Sequence, residues 1–262
     1  MNKILLKFSN FKLQFLFEII YKYFNYIKLI MKKVLYVLHQ KTSVAGDVGN
    51  KFKNRGFFAD IIRPPLGDIL PTDLTPYSAI VIFGGPMSVN DDEQFIRDEI
   101  SWMKQVIESN IPFLGICLGA QILAKYLGCD VVKNKNDLAE IGFYEIEPVG
   151  EGRGIFNNQN IFYQFHTEGF EIPSDCQLLA RGNVFENQAF KFQNCYALQF
   201  HPEVDFMVHI RWLFLVLMKK PTILFRKGSQ NLFYQLFLRF KYNKSISLWL
   251  DSFLDNYLLA QK

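Results

Sequence analysis

Residues 111–128 read IPFLGICLGAQILAKYLG, and this stretch decides the fold. Its first half is a short apolar run opened by Pro112, as in a buried strand, whereas the apolar residues of its second half recur at helical spacing. A strand therefore gives way to a helix at Cys117. Gly115 and Gly119 flank this residue, and they lack the Cβ atoms that would collide in so tight a turn. The pattern predicts a nucleophile elbow.

The position of Cys117 also favours a reactive thiol. A residue at the start of a helix lies beside unpaired N–H groups and the positive end of the helix dipole, and both favour a thiolate over a thiol. The motif alone leaves open a buried structural cysteine at a sharp turn. The predicted strand before Cys117 and the predicted helix after it favour the nucleophile.

Composition narrows the class of protein. The 262 residues can bury a sizeable core, half of them are apolar, and 27 are phenylalanine. A net charge of +4 is modest for this length and gives no indication of a nucleic-acid partner. The four cysteines have neither zinc-site spacing nor the density of a disulfide-linked secreted domain, so we expect a reducing cytoplasm and no metal or cofactor. Buried, inert thiols are expected at Cys129, Cys176 and Cys195.

The chain divides into three parts. Residues 1–30 are basic and rich in aromatic residues, and their uncharged runs are too short to span a membrane. Two interpretations stay open for them: a basic amphipathic helix that lies on a membrane or packs on the domain, and an extension upstream of the true start. The second is preferred because Met31 leads directly into a strand. Residues 31–218 are predicted to form the main domain, and residues 219–262 a basic linker with a C-terminal helix.

Strands and helices alternate as far as residue 128, which predicts a mostly parallel sheet covered by helices on both faces. Beyond that residue several strands follow one another, which predicts an antiparallel flap or extension of the sheet. The early strands are predicted at 34–39, 58–62 and 78–83, and the early helices at 45–54 and 91–110. The later strands are predicted at 141–147, 161–165, 177–180, 187–192 and 196–200, and the last helices at 206–218 and 246–260.

A thiolate needs a partner that manages protons, and histidine has a suitable ordinary pKa. His201 ends an apolar strand, where α/β sheets place their reacting groups. Glu203 follows two residues later, and side chains at i and i+2 of an extended segment point the same way, so its carboxylate is expected to orient the imidazole. The turn at Gly84-Gly85 and the start of the helix at Leu118 are expected to supply N–H donors for an oxyanion.

Three motifs, in this order, resemble those of the class I (triad-type) glutamine amidotransferases: GGPMSV at 84–89, GICLGAQ at 115–121 and QFHPEV at 199–204. Residues 187–190 and 249–251 further resemble stand-alone proteins similar to the amidotransferase domain of GMP synthase. The resemblance implies a flavodoxin-like α/β fold whose mostly parallel sheet is flanked by helices and carries a small antiparallel extension.

The resemblance also implies an activity. Cys117 would attack the side-chain amide of glutamine, forming a γ-glutamyl thioester and releasing ammonia. His201 would act as acid and base, and Glu203 would orient it. Five residues would bind the substrate or its oxyanion: Gly84, Gly85, Leu118, Gln121 and His166.

Three further residues bear on the resemblance. In the family, the segment that corresponds to residues 166–168 reads His-Gly-Asp or His-Gly-Phe. Thr167 replaces its glycine, and this replacement affects the backbone contacts that the segment would make to the amino-acid end of the substrate. His39 and His209 match no motif, and ordinary packing or surface roles are expected for both.

The sequence contains no phosphate-binding loop for ATP. The chain is therefore not expected to activate an acceptor by itself. Two activities stay open: release of ammonia to a separate synthetase subunit, and hydrolysis of γ-glutamyl amides or peptides. A third reading, a catalytically silent regulatory domain, is disfavoured by the intact Cys117, His201 and Glu203. Contact with a membrane is expected only through residues 1–30.

Overall fold

The computed structural model describes residues 32–260, so the expectations for residues 1–30 lie outside the described residues. The strands are β1 (Lys33–Val37), β2 (Phe58–Ile62), β3 (Tyr77–Ile82), β4 (Phe113–Ile116), β5 (Val131–Lys133), β6 (Glu140–Glu145), β7 (Glu147–Pro148), β8 (Ile161–His166), β9 (Glu168–Phe170), β10 (Gln177–Arg181), β11 (Asn187–Phe192) and β12 (Cys195–Leu198). The helices are α1 (Gly46–Asn54), α2 (Gln94–Glu108), α3 (Leu118–Tyr126), α4 (Gly152–Ile155), α5 (Phe206–Lys219) and α6 (Leu232–Phe253). Short 3-10 turns lie at Pro64–Leu66 and Pro221–Phe225, and a π-helical turn at Leu254–Leu258.

The central sheet has eight strands in the order β2-β1-β3-β4-β12-β11-β10-β7. The pairs from β2 through to β12 are parallel, and those from β12 to β7 are antiparallel. This confirms the predicted mostly parallel sheet with an antiparallel extension. The predicted strand at 141–147 is divided, because β7 joins the large sheet whereas β6 pairs with β8 in a separate two-stranded sheet.

Alternate residues of the parallel strands enter two different cores. In β1, Val34 and Tyr36 pack in the core that also receives α1 and α6, whereas Leu35 and Val37 pack in the core that receives α2 and α3. A strand buried on both faces has to be apolar at successive positions, which is why this strand does not alternate with polar residues. The helices therefore cover both faces, as predicted.

The last long helix begins much earlier than predicted. The sequence favoured a helix at 246–260, but α6 begins at Leu232, where the side chain of Asn231 accepts a hydrogen bond from Phe233 N and caps the helix. Phe233, Phe237 and Phe240 are exposed on its first half, so the phenylalanines there do not mark the buried face, to which Leu238 belongs. Across residues 32–260, no helix combines the length and apolarity needed to cross a membrane.

Candidate active site

Cys117 lies between the last residue of β4 and the first residue of α3, as the elbow pattern predicted. Its backbone has φ 51 and ψ −103, a conformation that costs energy for a residue with a side chain. The flanking glycines are required for close approach. A Cβ atom on Gly119 would lie 2.2 Å from the carbonyl oxygen of Ile82, and one on Gly115 would lie 2.6 Å from the carbonyl oxygen of Gly119.

His201 and Glu203 form a buried pair beside the end of β12. The Nδ1 atom of His201 lies 2.8 Å from Oε1 of Glu203, and each residue is 2% exposed. The sequence predicted that an extended segment would bring these two side chains together. In the structure they meet across a turn at residues 202 and 203 instead. The start of α1 fixes this turn. Asp47 N donates to the carbonyl oxygen of Glu203 at 2.8 Å, and a Cβ atom on Gly46 would lie 2.0 Å from that oxygen.

The surroundings of His201 favour its charged form. Burial is the largest single influence and lowers the pKa of the imidazole, but electrostatic interactions with Glu203 and Cys117 outweigh it and raise the pKa to about 10. The Nε2 atom of His201 is buried, and within residues 32–260 it has no hydrogen-bond partner of normal geometry. It is therefore free to exchange a proton with the thiol or with a bound substrate.

The turn at Gly84-Gly85 brings Cys117 and His201 together. A Cβ atom on Gly84 would lie 2.8 Å from Cε1 of His201 and 3.4 Å from Cβ of Cys117. One on Gly85 would lie 2.9 Å from Cδ2 of Leu118. The Gly85 N–H donates to no acceptor among the described residues, and the Leu118 N–H is in the first turn of α3, where no intrahelical acceptor is available. Two N–H groups of the kind that binds an oxyanion therefore flank the thiol.

A small pocket of about 110 Å³ opens beside the thiol. Its volume is far below the roughly 300 Å³ at which pockets for drug-sized ligands begin, so it fits a small substrate. Five of the predicted site residues line it: Gly85, Cys117, Leu118, Gln121 and His166. Gly84, His201 and Glu203 are not among the lining residues.

Gln121 is linked to the thiol of Cys117 by hydrogen bonds through the side-chain amide of Gln199. Its Nε2 atom donates to Glu168 O at 3.1 Å and to Oε1 of Gln199 at 3.2 Å, and it is 4% exposed. The Nε2 atom of Gln199 in turn lies 3.6 Å from Sγ of Cys117. Gln199 belongs to the motif at 199–204, yet no role was predicted for it, because its contact with Cys117 spans 82 residues of sequence.

His166 lines the pocket with both ring nitrogens already engaged by the protein. Its Nδ1 atom lies 2.9 Å from Glu168 O, and its Nε2 atom lies 3.1 Å from Oε1 of Gln164 and 3.0 Å from Oε2 of Glu140. Glu168 also lines the pocket, and its Oε2 atom accepts a hydrogen bond of 2.6 Å from Ser88 Oγ. The motifs carried no assignment for Glu168.

Two further contacts come from regions that sequence reasoning left without a role. The ring of Trp212, on α5, packs edge-on against the ring of His201 with centroids 5.0 Å apart. Ile223, in the 3-10 turn after α5, reaches the pocket lining. Neither residue carries a sequence signal, since an aromatic or aliphatic residue on an apolar helix is ordinarily a core residue.

The remaining cysteines are unsuited to be nucleophiles. Burial, together with nearby charges, raises the pKa of Cys176 and Cys195 to about 12 and also raises that of Cys129, so all three remain thiols at neutral pH. The expectation of full burial is correct for Cys195 and wrong for Cys129 and Cys176, which are half-buried. Both pack at the margin of the core that contains α2 and α3. Within the described ranges, no group of three or more potential ligands converges to hold a metal ion.

The fold and the site together define an α/β protein with a cysteine elbow and a neighbouring His–Glu pair. The family model described as Glutamine amidotransferase class-I matches residues 43–219, more than half of the chain. The chain therefore belongs to the class I glutamine amidotransferase family, as the three motifs indicated.

Individual relatives agree with this membership. The chain is 32% identical over 143 residues to a GMP synthase [glutamine-hydrolyzing] of Flavobacterium psychrophilum, a match that covers 52% of this chain and 27% of the relative. It is 36% identical over 107 residues to one of the subunits of the GMP synthase [glutamine-hydrolyzing] of Thermococcus kodakarensis, covering 39% of this chain and 56% of the relative. The chain thus spans about a quarter and about half of the length of these curated relatives.

A solved structure supports the fold over a longer range. The crystal structure of a glutamine amidotransferase from Thermotoga maritima superposes with a TM-score of 0.78 at 27% sequence identity. The superposition covers 87% of this chain and 98% of that one.

Proposed function

We propose that this chain hydrolyses the side-chain amide of glutamine through a covalent thioester on Cys117 and supplies the ammonia to a separate acceptor-activating partner. The observation that carries the proposal is the convergence of three segments on Gly84. The Cβ atom of Cys117 and the ring of His201 both lie against this residue, and Oε1 of Glu203 lies 2.8 Å from Nδ1 of the ring.

The first half of the reaction uses the charged pair. The thiolate of Cys117 attacks the amide carbon of glutamine, and the carbonyl oxygen becomes an oxyanion held by the N–H groups of Gly85 and Leu118. The imidazolium of His201 gives its proton to the nitrogen, the carbon–nitrogen bond breaks, and ammonia leaves. The raised pKa of His201 suits this step, because the ring is protonated at neutral pH before the substrate arrives.

The second half restores the enzyme. The neutral imidazole of His201 takes a proton from water, the resulting hydroxide attacks the thioester carbon, and the same two N–H groups hold the oxyanion. The bond to sulfur then breaks, glutamate leaves, and Cys117 and His201 return to the thiolate and the imidazolium. Glu203 keeps the proton on Nδ1 throughout, so Nε2 is the atom that exchanges protons.

Substrate contacts follow from the lining of the pocket. Gln121 and His166 form its wall, and Glu168 provides a negative charge for the ammonium group of the substrate. Thr167 also lies in the lining, so the substitution of the family's glycine leaves a side chain beside the amino-acid end of the substrate. A free glutamine and a γ-glutamyl peptide share this end and differ only in the leaving group.

The partner is proposed from the relatives. The relative from Thermococcus kodakarensis is named as one subunit of a GMP synthase, which supports a separate protein that receives the ammonia.

We propose the cytoplasm as the location of the protein. The four cysteines are free thiols, as expected in a reducing compartment.

The test compares ammonia release from glutamine with cleavage of glutathione and other γ-glutamyl peptides. Cys117→Ala should abolish turnover. Cys129→Ala is the matched control, because it also removes one thiol, here the half-buried thiol of Cys129, and it should retain turnover. A thioester trapped on Cys117 and identified by mass spectrometry supports the proposal. Faster cleavage of peptides than of glutamine would make the chain a γ-glutamyl hydrolase. No turnover of either substrate and no labelling of Cys117 by a diazo-ketone analogue of glutamine would indicate the silent regulatory domain.

A further inference from the structure

His39 lies directly beneath the turn at Gly84-Gly85, although no motif includes it. It follows the end of β1 and is 2% exposed, and its Nδ1 atom lies 3.3 Å from the carbonyl oxygen of Gly84. Its Nε2 atom lies 3.1 Å from Oε2 of Glu99, a fully buried residue of α2. A Cβ atom on Gly85 would lie 2.9 Å from Cβ of His39, so the histidine packs against the turn itself.

The hydrogen bonds fix where the protons are. The carbonyl oxygen of Gly84 can only accept, so the Nδ1 atom of His39 must carry a hydrogen. The contact with Glu99 then needs one proton between Nε2 and the carboxylate, which either group can hold. In both states Nδ1 donates to Gly84 and the pair as a whole is neutral, which is the tolerable condition for two buried ionisable groups.

A hydrogen bond to the carbonyl of Gly84 determines the direction of the next N–H group. The carbonyl of Gly84 and the N–H of Gly85 belong to one planar trans peptide unit and point in opposite directions. Glycine on both sides of this unit would otherwise let it rotate at little cost. Since the Gly85 N–H donates to no described acceptor, its direction is set from the carbonyl side, by His39.

We propose that His39 and Glu99 form a buried positioning pair that locks the Gly84–Gly85 peptide unit with its N–H directed at the oxyanion. This inference rests on the proposed function, because an oxyanion forms only during acyl transfer. Neither residue lines the pocket, so the pair acts through Gly85 and not on the substrate. Loss of an oxyanion donor costs roughly 100- to 1,000-fold in kcat, and a misdirected donor should cost about 10- to 100-fold.

Two amide variants separate the two contacts of His39. In His39→Asn the side-chain amide nitrogen occupies about the place of Nδ1, so the bond to Gly84 is kept and the contact with Glu99 is lost. In His39→Gln the amide reaches the place of Nε2, so the contact with Glu99 is kept and the bond to Gly84 is lost. We expect His39→Asn to retain kcat within about fivefold, and His39→Gln to lose about 10- to 100-fold with KM within about threefold.

A third variant tests the role of Glu99. Glu99→Gln can donate to Nε2 and so support the same Nδ1–H form of His39, and kcat should stay within about fivefold of the wild type. Glu99→Leu leaves Nε2 of His39 without a partner that keeps the proton on Nδ1, so the imidazole can adopt the Nε2–H tautomer, which cannot donate to Gly84. This variant should therefore behave like His39→Gln, whereas the amide of His39→Asn always keeps its N–H. Thermal unfolding of each variant identifies any that do not fold. If Glu99→Leu does not fold, the conservative Glu99→Gln still tests the role of Glu99.

The decisive readout compares turnover with alkylation of Cys117 by iodoacetamide, a displacement that forms no oxyanion. A positioning role predicts an unchanged alkylation rate in His39→Gln alongside the fall in kcat, measured on glutamine or on whichever γ-glutamyl peptide the wild type cleaves. Equal losses in His39→Asn and His39→Gln, or a parallel fall in alkylation, would overturn the inference while leaving the proposed function in place. A wild type that turns over neither substrate would overturn the proposed function, and the inference with it.

Discussion

Replacement of Gly84 by alanine is the sharpest single perturbation of the site. The backbone at Gly84 does not have the positive φ that disfavours side chains, so the added methyl group acts only through its neighbours. Its nearest neighbour is Cε1 of His201 at 2.8 Å, and the next is Cβ of Cys117 at 3.4 Å. The methyl group therefore displaces the imidazole of His201. It does not displace Cys117, because the Cβ atom of Cys117 is already at an ordinary contact distance.

The size of the effect follows from the displacement. The ring of His201 must move by about 0.6 Å, from 2.8 Å to the 3.4 Å at which ordinary contact begins. A misplacement of about 1 Å in a reacting group can cost 100-fold in rate, so we expect Gly84→Ala to lower kcat by roughly 10- to 100-fold, or about 1.4 to 2.7 kcal/mol in the activation free energy. The hydrogen bond between His201 and Glu203 resists this movement. The ring is therefore expected to tilt out of alignment with Cys117 and not to shift as a whole.

The assay is the initial rate of ammonia release from glutamine, measured with the thermal unfolding midpoint of the same samples. Gly154→Ala is the matched control, because its Cβ atom would meet Tyr257 Oη at an ordinary 3.5 Å and Gly154 is not part of the pocket lining. The control should match the wild type in rate. A Gly84→Ala variant that folds normally and keeps kcat within about threefold of the wild type would show that the position of the His201 ring against Gly84 does not control the rate.

Two further outcomes are expected. Because the folded-state pKa of His201 is raised from 6.5 to about 10, its contribution to the free energy of unfolding is complete below about pH 6.5 and is lost as the pH rises towards 10. Urea unfolding of the wild type and Glu203→Gln should therefore show a stability difference that shrinks across this window, and a difference that grows would contradict it. In α6, Trp249→Ala should cost about 3 to 5 kcal/mol and the neighbouring, exposed Leu248→Ala less than about 0.5 kcal/mol, measured in the same way. Equal costs would show that α6 is not packed as described.

The parts of the site that follow from sequence are those encoded locally or by strand ends. The spacing of Gly115 and Gly119 around Cys117 requires a tight turn wherever the chain goes, so the elbow could be predicted. His201 and Glu203 are only two residues apart, and their contact survives the change from an extended segment to a turn. The approach of the two strand ends follows because β4 and β12 are adjacent and parallel.

The parts that sequence reasoning missed depend on distant pairs. His39 and Glu99 are 60 residues apart, and nothing in either neighbourhood indicates that the two would meet under the Gly84 carbonyl. The start of α6 was missed for a different reason. Its exposed phenylalanines break the rule that apolar residues face the core, so the periodicity that marks a helix was obscured before Ile246, where the predicted helix begins.

Each of the three residues that we propose to be catalytic is held by the backbone of a different part of the fold. Cys117 N donates to Leu198 O, His201 N donates to Tyr163 O, and Glu203 O accepts from Asp47 N, each at 2.8 Å. These partners belong to β12, to the separate β6–β8 sheet and to α1. A φ of 51 at Cys117 costs on the order of 1 to 3 kcal/mol and persists only where its surroundings over-determine it. The strained cysteine is therefore maintained by the assembled fold, because β4 and α3 alone do not include the carbonyl that holds it.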